Sequence, residues 1–221
     1  MMKLKGVWFS YDNFTLKGIE LSLRKGQVIS IIGPIGSGKT TVLKVAGLLL
    51  RPSKGKVMID GEDVWRAHAS KRLGLRKRVV YVQEKPVLVR GKVIDNVALG
   101  PVLRGMERAY ESARKAVKML GIENLAVKDR KELSAGQTQL VSIARALAVE
   151  CGYLLLDEPT AHLDGDQRRM LIRVIKKLRE EGKGIAIASH DFSFVEALSD
   201  EVVELLNGEK IREGSVSEIL I

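Results

Sequence analysis

Eight consecutive residues, Gly33-Pro-Ile-Gly-Ser-Gly-Lys39-Thr40, place three glycines, a lysine and two hydroxyls in one short loop. Such a loop can wrap a polyphosphate. Its glycines let successive backbone N–H groups converge on one anion. Lys39 supplies a point charge for β- and γ-phosphates, and the Thr40 hydroxyl suits Mg²⁺. This spacing, G-x-x-x-x-G-K-[ST], needs a strand before it and a helix after it. Val28 to Ile32 is apolar and β-branched, which predicts a buried strand. Thr41 to Leu49 predicts a helix whose positive dipole end faces the anion. The candidate phosphate cradle is therefore Gly33, Pro34, Ile35, Gly36, Ser37, Gly38, Lys39, Thr40 and Thr41.

A second chemical feature lies far along the chain. Leu154-Leu-Leu-Asp157-Glu158-Pro159 is an apolar run ending in two carboxylates. At the end of a strand beside a phosphate loop, Asp157 suits a direct or water-mediated Mg²⁺ contact. Glu158 can polarise an attacking water. Taken alone, an acidic pair after a strand is as often a turn or helix cap; the phosphate loop is what tips the balance.

The elements that must position these groups follow from periodicity. Lys3 to Phe9 and Phe14 to Leu23, around a turn at Tyr11-Asp12-Asn13, read as antiparallel strands. Val57 to Gly61 is a short strand and turn, and Arg78 to Val82 a buried strand. From about Lys85 to Val149 the pattern is helical. Ala109, Ala113, Ala116, Val117 and Leu120 share one face of a helix over Glu107 to Leu120, and Ala135 to Val149 is a second helix. Tyr153 to Leu156 and Ile185 to Ala188 suit parallel strands buried on both faces, with a charged crossover helix from Asp166 to Glu181 between them. Val202 to Leu206 and Glu209 to Glu213 flank Asn207-Gly208 as a closing hairpin. The fold class is α/β: a mostly parallel sheet with helices, an N-terminal antiparallel β subdomain and an inserted α-helical subdomain.

Composition sets limits. A chain of 221 residues with 45% hydrophobic and 29% charged residues can fold as one large domain or one domain with a subdomain. No apolar run approaches the roughly 20 residues of a membrane span. Met1-Met-Lys-Leu-Lys-Gly lacks an apolar signal region, so the expected location is the cytoplasm. The single cysteine, Cys151, allows no intrachain disulfide and reads as a packed thiol beside a strand. Net charge is +10, and it is clustered: Arg66 to Lys92 carries nine basic residues against one acid, Glu84. That stretch reads as a solvated basic face or a surface that meets a membrane or partner. No aromatics interleave with it, so direct nucleic-acid binding is not expected.

The order of motifs resembles the ATP-binding-cassette (ABC) ATPases. Leu133-Ser-Ala-Gly-Gln137 is similar to that family's signature motif. Gln83 follows a strand as its Q-loop glutamine does. Ala161-His-Leu-Asp164 resembles its D-loop, Ser189-His190-Asp191 its switch histidine, and Tyr11 its adenine-stacking aromatic. Lys39, Gln83, Ser134, Asp157 and His190 are separated by 44, 51, 23 and 33 positions, in the family's order. The resemblance spans nearly the whole chain. Departures are mild: Ala135 stands at a signature glycine position, His162 where a small residue is common, and Leu140 where arginine is common.

The resemblance implies a P-loop NTPase core and one ABC ATPase domain over residues 1–221. Residues 1–84 and 150–221 would form the nucleotide-binding core, and about 85–149 the helical subdomain. It implies ATP and Mg²⁺ as cofactors, with Thr40, Gln83 and Asp157 at the metal. Glu158 would be the base or water-positioner, assisted by His190, Gln83 and Lys39. It also implies a composite site. Two ATPases, identical or different, face each other head to tail, and Ser134, Ala135, Gly136, Gln137 and Asp164 of one complete the site of the other. The expected role is the energy-coupling subunit of a prokaryotic transporter, of the importer kind serving an oxyanion or polar amino acid. Separate transmembrane permease subunits and an extracytoplasmic solute-binding protein would be its partners, at the cytoplasmic face of the membrane. The end at Ile221, soon after the hairpin, predicts no C-terminal regulatory domain. The alternative is a soluble ABC ATPase of iron–sulfur assembly, DNA repair or translation.

Overall fold

The computed structural model describes residues 1–11 and 14–220. The turn expected at Asp12-Asn13 lies outside the described residues. The elements in chain order are β1 (Met2–Tyr11), β2 (Phe14–Leu23), β3 (Val28–Ile32), α1 (Lys39–Ala46), β4 (Lys54–Ile59), β5 (Glu62–Asp63), α2 (Ala69–Lys77), β6 (Val79–Val82), α3 (Val93–Leu103), α4 (Ala109–Met119) and α5 (Ala135–Leu147). They continue with β7 (Tyr153–Asp157), α6 (Gly165–Glu180), β8 (Gly184–Ala188), α7 (Phe192–Leu198), β9 (Glu201–Leu206), β10 (Glu209–Gly214) and α8 (Val216–Ile219).

Two sheets carry the fold. The first is antiparallel, in the order β2-β1-β4-β5. The second runs β10-β9-β3-β8-β7-β6, with β9, β3, β8 and β7 mutually parallel and β10 returning antiparallel to β9. Its three inner strands β3, β8 and β7 are buried at every position. This is why they read as unbroken apolar runs rather than alternations. Their C-terminal ends open into the phosphate loop, His190 and Glu158, which is where open α/β sheets bind ligands.

Close packing divides the chain into two compact units. One comprises Met1–Tyr81, Cys151–Glu158 and Ile175–Ile221; the other comprises Val82–Glu150 and Pro159–Val174. The first holds a continuous core that joins Met2, Leu4 and Leu21 of the antiparallel sheet, Val42 and Leu43 of α1, and Leu155 and Ala186 of the parallel sheet. In the second unit, α4 buries Ala109, Ala113, Ala116 and Val117, the stripe read from periodicity.

The differences from the sequence reading have local causes. Helix α1 stops at Ala46 rather than running to Leu49, because Gly47 caps it and Leu48 turns to a φ of 60°. Helix α2 was not expected. Only Leu75 is buried along it, so the segment carries too little apolar periodicity to announce a helix. Helix α3 runs through Pro101, a residue that normally argues for a break.

Candidate functional site: a phosphate loop beside two strand-end carboxylates

The phosphate loop is built by steric exclusion as much as by attraction. Gly33 has a φ of 142°, and a Cβ there would sit 2.2 Å from the Leu205 carbonyl oxygen, so only glycine lets β9 pass this close. A Cβ on Gly38 would meet the Phe14 ring at 2.6 Å. The loop leaves a cavity of about 270 Å³ lined by Phe14, Gly36, Gly38, Lys39, Thr40 and Thr41. The Lys39 ammonium donates to the Gly33 and Pro34 carbonyls at 2.8 and 3.1 Å, folded over the loop it serves. The Ser37 hydroxyl is buried and has no hydrogen-bond partner among the described residues. Helix α1 starts at Lys39 with no acidic residue in its first turn, so its positive end stays open to an anion. Ile35 is fully exposed at the loop's tip.

Asp157 ends β7 with only 1% of its surface exposed. Its carboxylate accepts from the Thr40 hydroxyl at 3.1 Å and from the Tyr81 hydroxyl at 2.8 Å. A buried carboxylate beside a hydroxyl gives hard oxygen donors that fit Mg²⁺, with substrate oxygens and water completing its shell. Among the described residues no group of three His, Cys, Asp or Glu side chains is placed to hold a metal by itself.

Glu158 follows at a φ of 44°, a left-handed conformation that a non-glycine residue adopts at a cost of about 1–3 kcal/mol. Its backbone N–H donates to Ala188 O at 2.9 Å, tying the strained residue to the end of β8. The His190 ring Nδ1 lies 2.8 Å from Glu158 Oε2, and the His190 backbone N–H donates to the same oxygen at 3.4 Å. His190 is itself set by a rigid turn. Asp191 caps α7 by accepting from Phe194 N, and its own N–H donates to the Ser189 hydroxyl. Tyr11 stands at the end of β1 opposite Phe14, 68% exposed, with its ring open to solvent.

The remaining predicted residues belong to the second unit. Gln83 is exposed just after β6 and donates to Lys85 O at 2.7 Å. Ser134 caps α5: its hydroxyl accepts from Gln137 N, while the Gln137 side chain accepts from Ser134 N. Asp164 and Gln167 form the same reciprocal pair at the start of α6. The two helix starts are adjacent, since a Cβ on Gly136 would lie 2.5 Å from the His162 carbonyl oxygen. Ala135 is exposed, so its methyl fits, and Leu140 is 2% exposed within the helical packing, which suits its apolar side chain.

Two residues at this site were missed by the sequence reading. Tyr81 holds Asp157, and Phe14 walls the phosphate cavity. Tyr81 was hidden as one more apolar residue of a strand. Phe14 had a signal in the second aromatic just past Tyr11.

A phosphate loop at the end of β3, with two carboxylates at the end of β7 in the same parallel sheet, defines a nucleotide-hydrolysing α/β ATPase. Residues 16–161 match the family model described as ABC transporter, and the chain belongs to that family. It is 33% identical to a phosphate import ATP-binding protein of Natronomonas pharaonis, over 99% of this chain and 81% of that one. It is 36% identical to a molybdate/tungstate import ATP-binding protein of Thermococcus kodakarensis, over 99% of this chain and 66% of that one. A solved dimeric ATP-binding cassette in a post-hydrolysis state, bound to ADP and phosphate, superposes with a TM-score of 0.88 at 30% identity, over 98% of this chain and 99% of that one. The chain is the ATP-binding, ATP-hydrolysing subunit of an ABC transporter.

Proposed function

We propose that this chain drives an importer for a small oxyanion, and that Glu158 is the group that activates water. The observation that carries the catalytic assignment is the Glu158 carboxylate, fixed by His190 at the end of β7, next to an Asp157 held by Thr40. Lys39 and the loop N–H groups hold the β- and γ-phosphates, and Tyr11 with Phe14 provides aromatic surface for the base. Thr40, Asp157 and Gln83 would hold Mg²⁺, which would supply positive charge against the negative charge that develops on the phosphates. Glu158 accepts a proton as a water oxygen attacks the γ-phosphorus and the bond to the ADP oxygen breaks. His190 keeps that carboxylate aimed. Ser134 to Gln137 of a second copy or a related ATPase, presenting the N-terminus of α5, closes over the γ-phosphate with Asp164 beside it. Residues 1–84 and 150–221 act as the core and about 85–149 as the helical subdomain, which passes the nucleotide state to a separate permease.

The importer reading is supported by the names of the phosphate and molybdate/tungstate relatives. No helix among the described residues is long and apolar enough to cross a membrane. On the importer reading a separate permease carries the solute, and this chain works at the cytoplasmic face of the membrane, with a solute-binding protein on the far side. The test uses the Glu158→Gln protein. ATP affinity should persist, turnover should fall by roughly 10²–10⁴, and ATP-Mg²⁺ should trap a dimer. Captured from detergent-solubilised native membranes, it should bring down a polytopic membrane protein and an oxyanion-binding protein. Normal hydrolysis would remove Glu158 from its role. Soluble partners alone would point to an assembly or repair ATPase instead.

A further inference from the structure

The outward face of the antiparallel sheet is a charged surface that the nucleotide chemistry does not use. Strands β1, β2 and β4 alternate, sending Met2, Leu4, Leu21, Leu23, Val57 and Ile59 into the core. The charged residues of these three strands are five lysines, Lys3, Lys5, Lys17, Lys54 and Lys56, and one glutamate, Glu20. Lys17 pairs with Glu209 at 2.9 Å; among the described residues Lys3, Lys5, Lys54, Lys56 and Glu20 have no ion-pair partner. Lys5 and Lys56 stand directly opposite each other across β1 and β4. Like charges in that register repel, so folding gathers positive charge here without answering it. Trp8 lies among these lysines, 39% exposed, with the Lys54 ammonium 5.7 Å from its ring centre. A Cβ on Gly18 would lie 3.7 Å from Trp8 Nε1, so the indole lies along β2 instead of standing off the sheet. Gly6, Gly18 and Gly55 place no side chain over the middle of the face, which is therefore flat.

We propose that this face lies on an anionic phospholipid surface, with the lysines meeting headgroup phosphates and Trp8 seated at headgroup level. Lysine stems and an indole both pair an apolar body with a polar tip, the chemistry that a membrane–water boundary rewards. Each lysine held near an anionic leaflet raises partitioning about fivefold. Headgroup phosphates between Lys5 and Lys56 also relieve their repulsion. Shape and chemistry select this occupant. A bilayer is flat, continuous and negatively charged, and it matches a flat cationic face. Nucleic acid would draw on successive aromatic platforms, and Trp8 stands alone among the lysines. An acidic peptide is fixed by a groove or an open strand edge, and the β1 lysines lie on a strand paired on both sides. Lipid contact needs no permease, so this placement and the transporter reading can fail separately.

The experiment uses the full chain carrying Trp65→Phe, which leaves Trp8 as the sole tryptophan. It is titrated with phosphatidylglycerol vesicles, phosphatidylcholine vesicles, polyglutamate and oligouridine. Phosphatidylglycerol should shift Trp8 emission to the blue, brominated phosphatidylglycerol should quench it, and phosphatidylcholine should do neither. Sedimentation of the unmodified chain with the same vesicles gives the partition constant without relying on the substitution. Lys5→Glu with Lys56→Glu, both exposed changes that spare the core, should weaken partitioning by about tenfold or more. The same reversal at Arg72 and Arg76, on α2, should weaken it far less. ATP hydrolysis measured without lipid should be unchanged in every variant. Failure to partition into phosphatidylglycerol, Trp8 emission untouched by the brominated lipid, or equal losses from the two reversals would each overturn the proposal. So would tighter binding of polyglutamate or oligouridine than of the vesicles.

Discussion

Single residues show where this chain departs from the most stable choice. Glu158 is held at positive φ between a strand end and its tie to β8. Strain of this kind survives only where the surroundings over-determine it, and here it aims a carboxylate. Gln139 is the opposite case. It lies in α5 with no exposed surface, and among the described residues neither amide atom has a protein partner. A buried unpaired amide costs roughly 1–3 kcal/mol. Gln139→Met, of similar length, should therefore raise the urea midpoint by an amount equal to about 1–2 kcal/mol. A drop in the midpoint would mean that the amide is bonded in solution.

At the scale of elements, the site depends on helix starts. Helices α5 and α6 open with matched capping pairs, Ser134 with Gln137 and Asp164 with Gln167. They touch through the missing side chain of Gly136. Gly136→Ala should push against the His162 carbonyl, costing about 1–3 kcal/mol, and should lower ATP turnover by displacing both helix starts. Ala135→Gly, at an exposed position one residue earlier, should cost no more than about 1 kcal/mol and leave turnover near normal. Circular dichroism melts and a phosphate-release assay on the pair check this; equal effects at both positions would show that the close approach at Gly136 is unimportant.

At the scale of the molecule, one carboxylate ties distant parts of the first unit together. Asp60, in the turn after β4, accepts from the N-terminal ammonium at 2.8 Å, from Tyr153 of β7 at 2.8 Å and from Arg78 at 2.6 Å. Burial alone would raise its pKa, but these three donors outweigh it and hold the carboxyl well below the usual range. Burial, then the bond to Asp60, drives the Tyr153 phenol up. The sign follows from linkage. A depressed folded-state pKa contributes stability that is present above the unfolded value of about 3.9 and is lost progressively as pH falls from there through the lower folded-state value. Wild-type stability should therefore decline on acidification below about pH 5 more steeply than that of Asp60→Asn, which should already be weaker at neutral pH. Denaturant midpoints measured at several pH values decide it; parallel curves would remove Asp60 as the acid-sensitive tie.

The sequence by itself determined the phosphate loop, the strand-end acids and the order of strands on either side of a helical insertion. These depend on local spacing and on runs of apolar residues, which survive in one dimension. Buried strands such as β3 and β7 read plainly because both faces are covered. The tertiary structure alone decided the rest. That Tyr81 holds Asp157, 76 residues away, and that Phe14 walls the loop at Gly38, follow from packing between elements that share no local pattern. Helix α2 was invisible because one buried leucine makes no periodicity. The engagement of Asp60 by Met1, Arg78 and Tyr153 appears only once groups far apart along the chain meet in space.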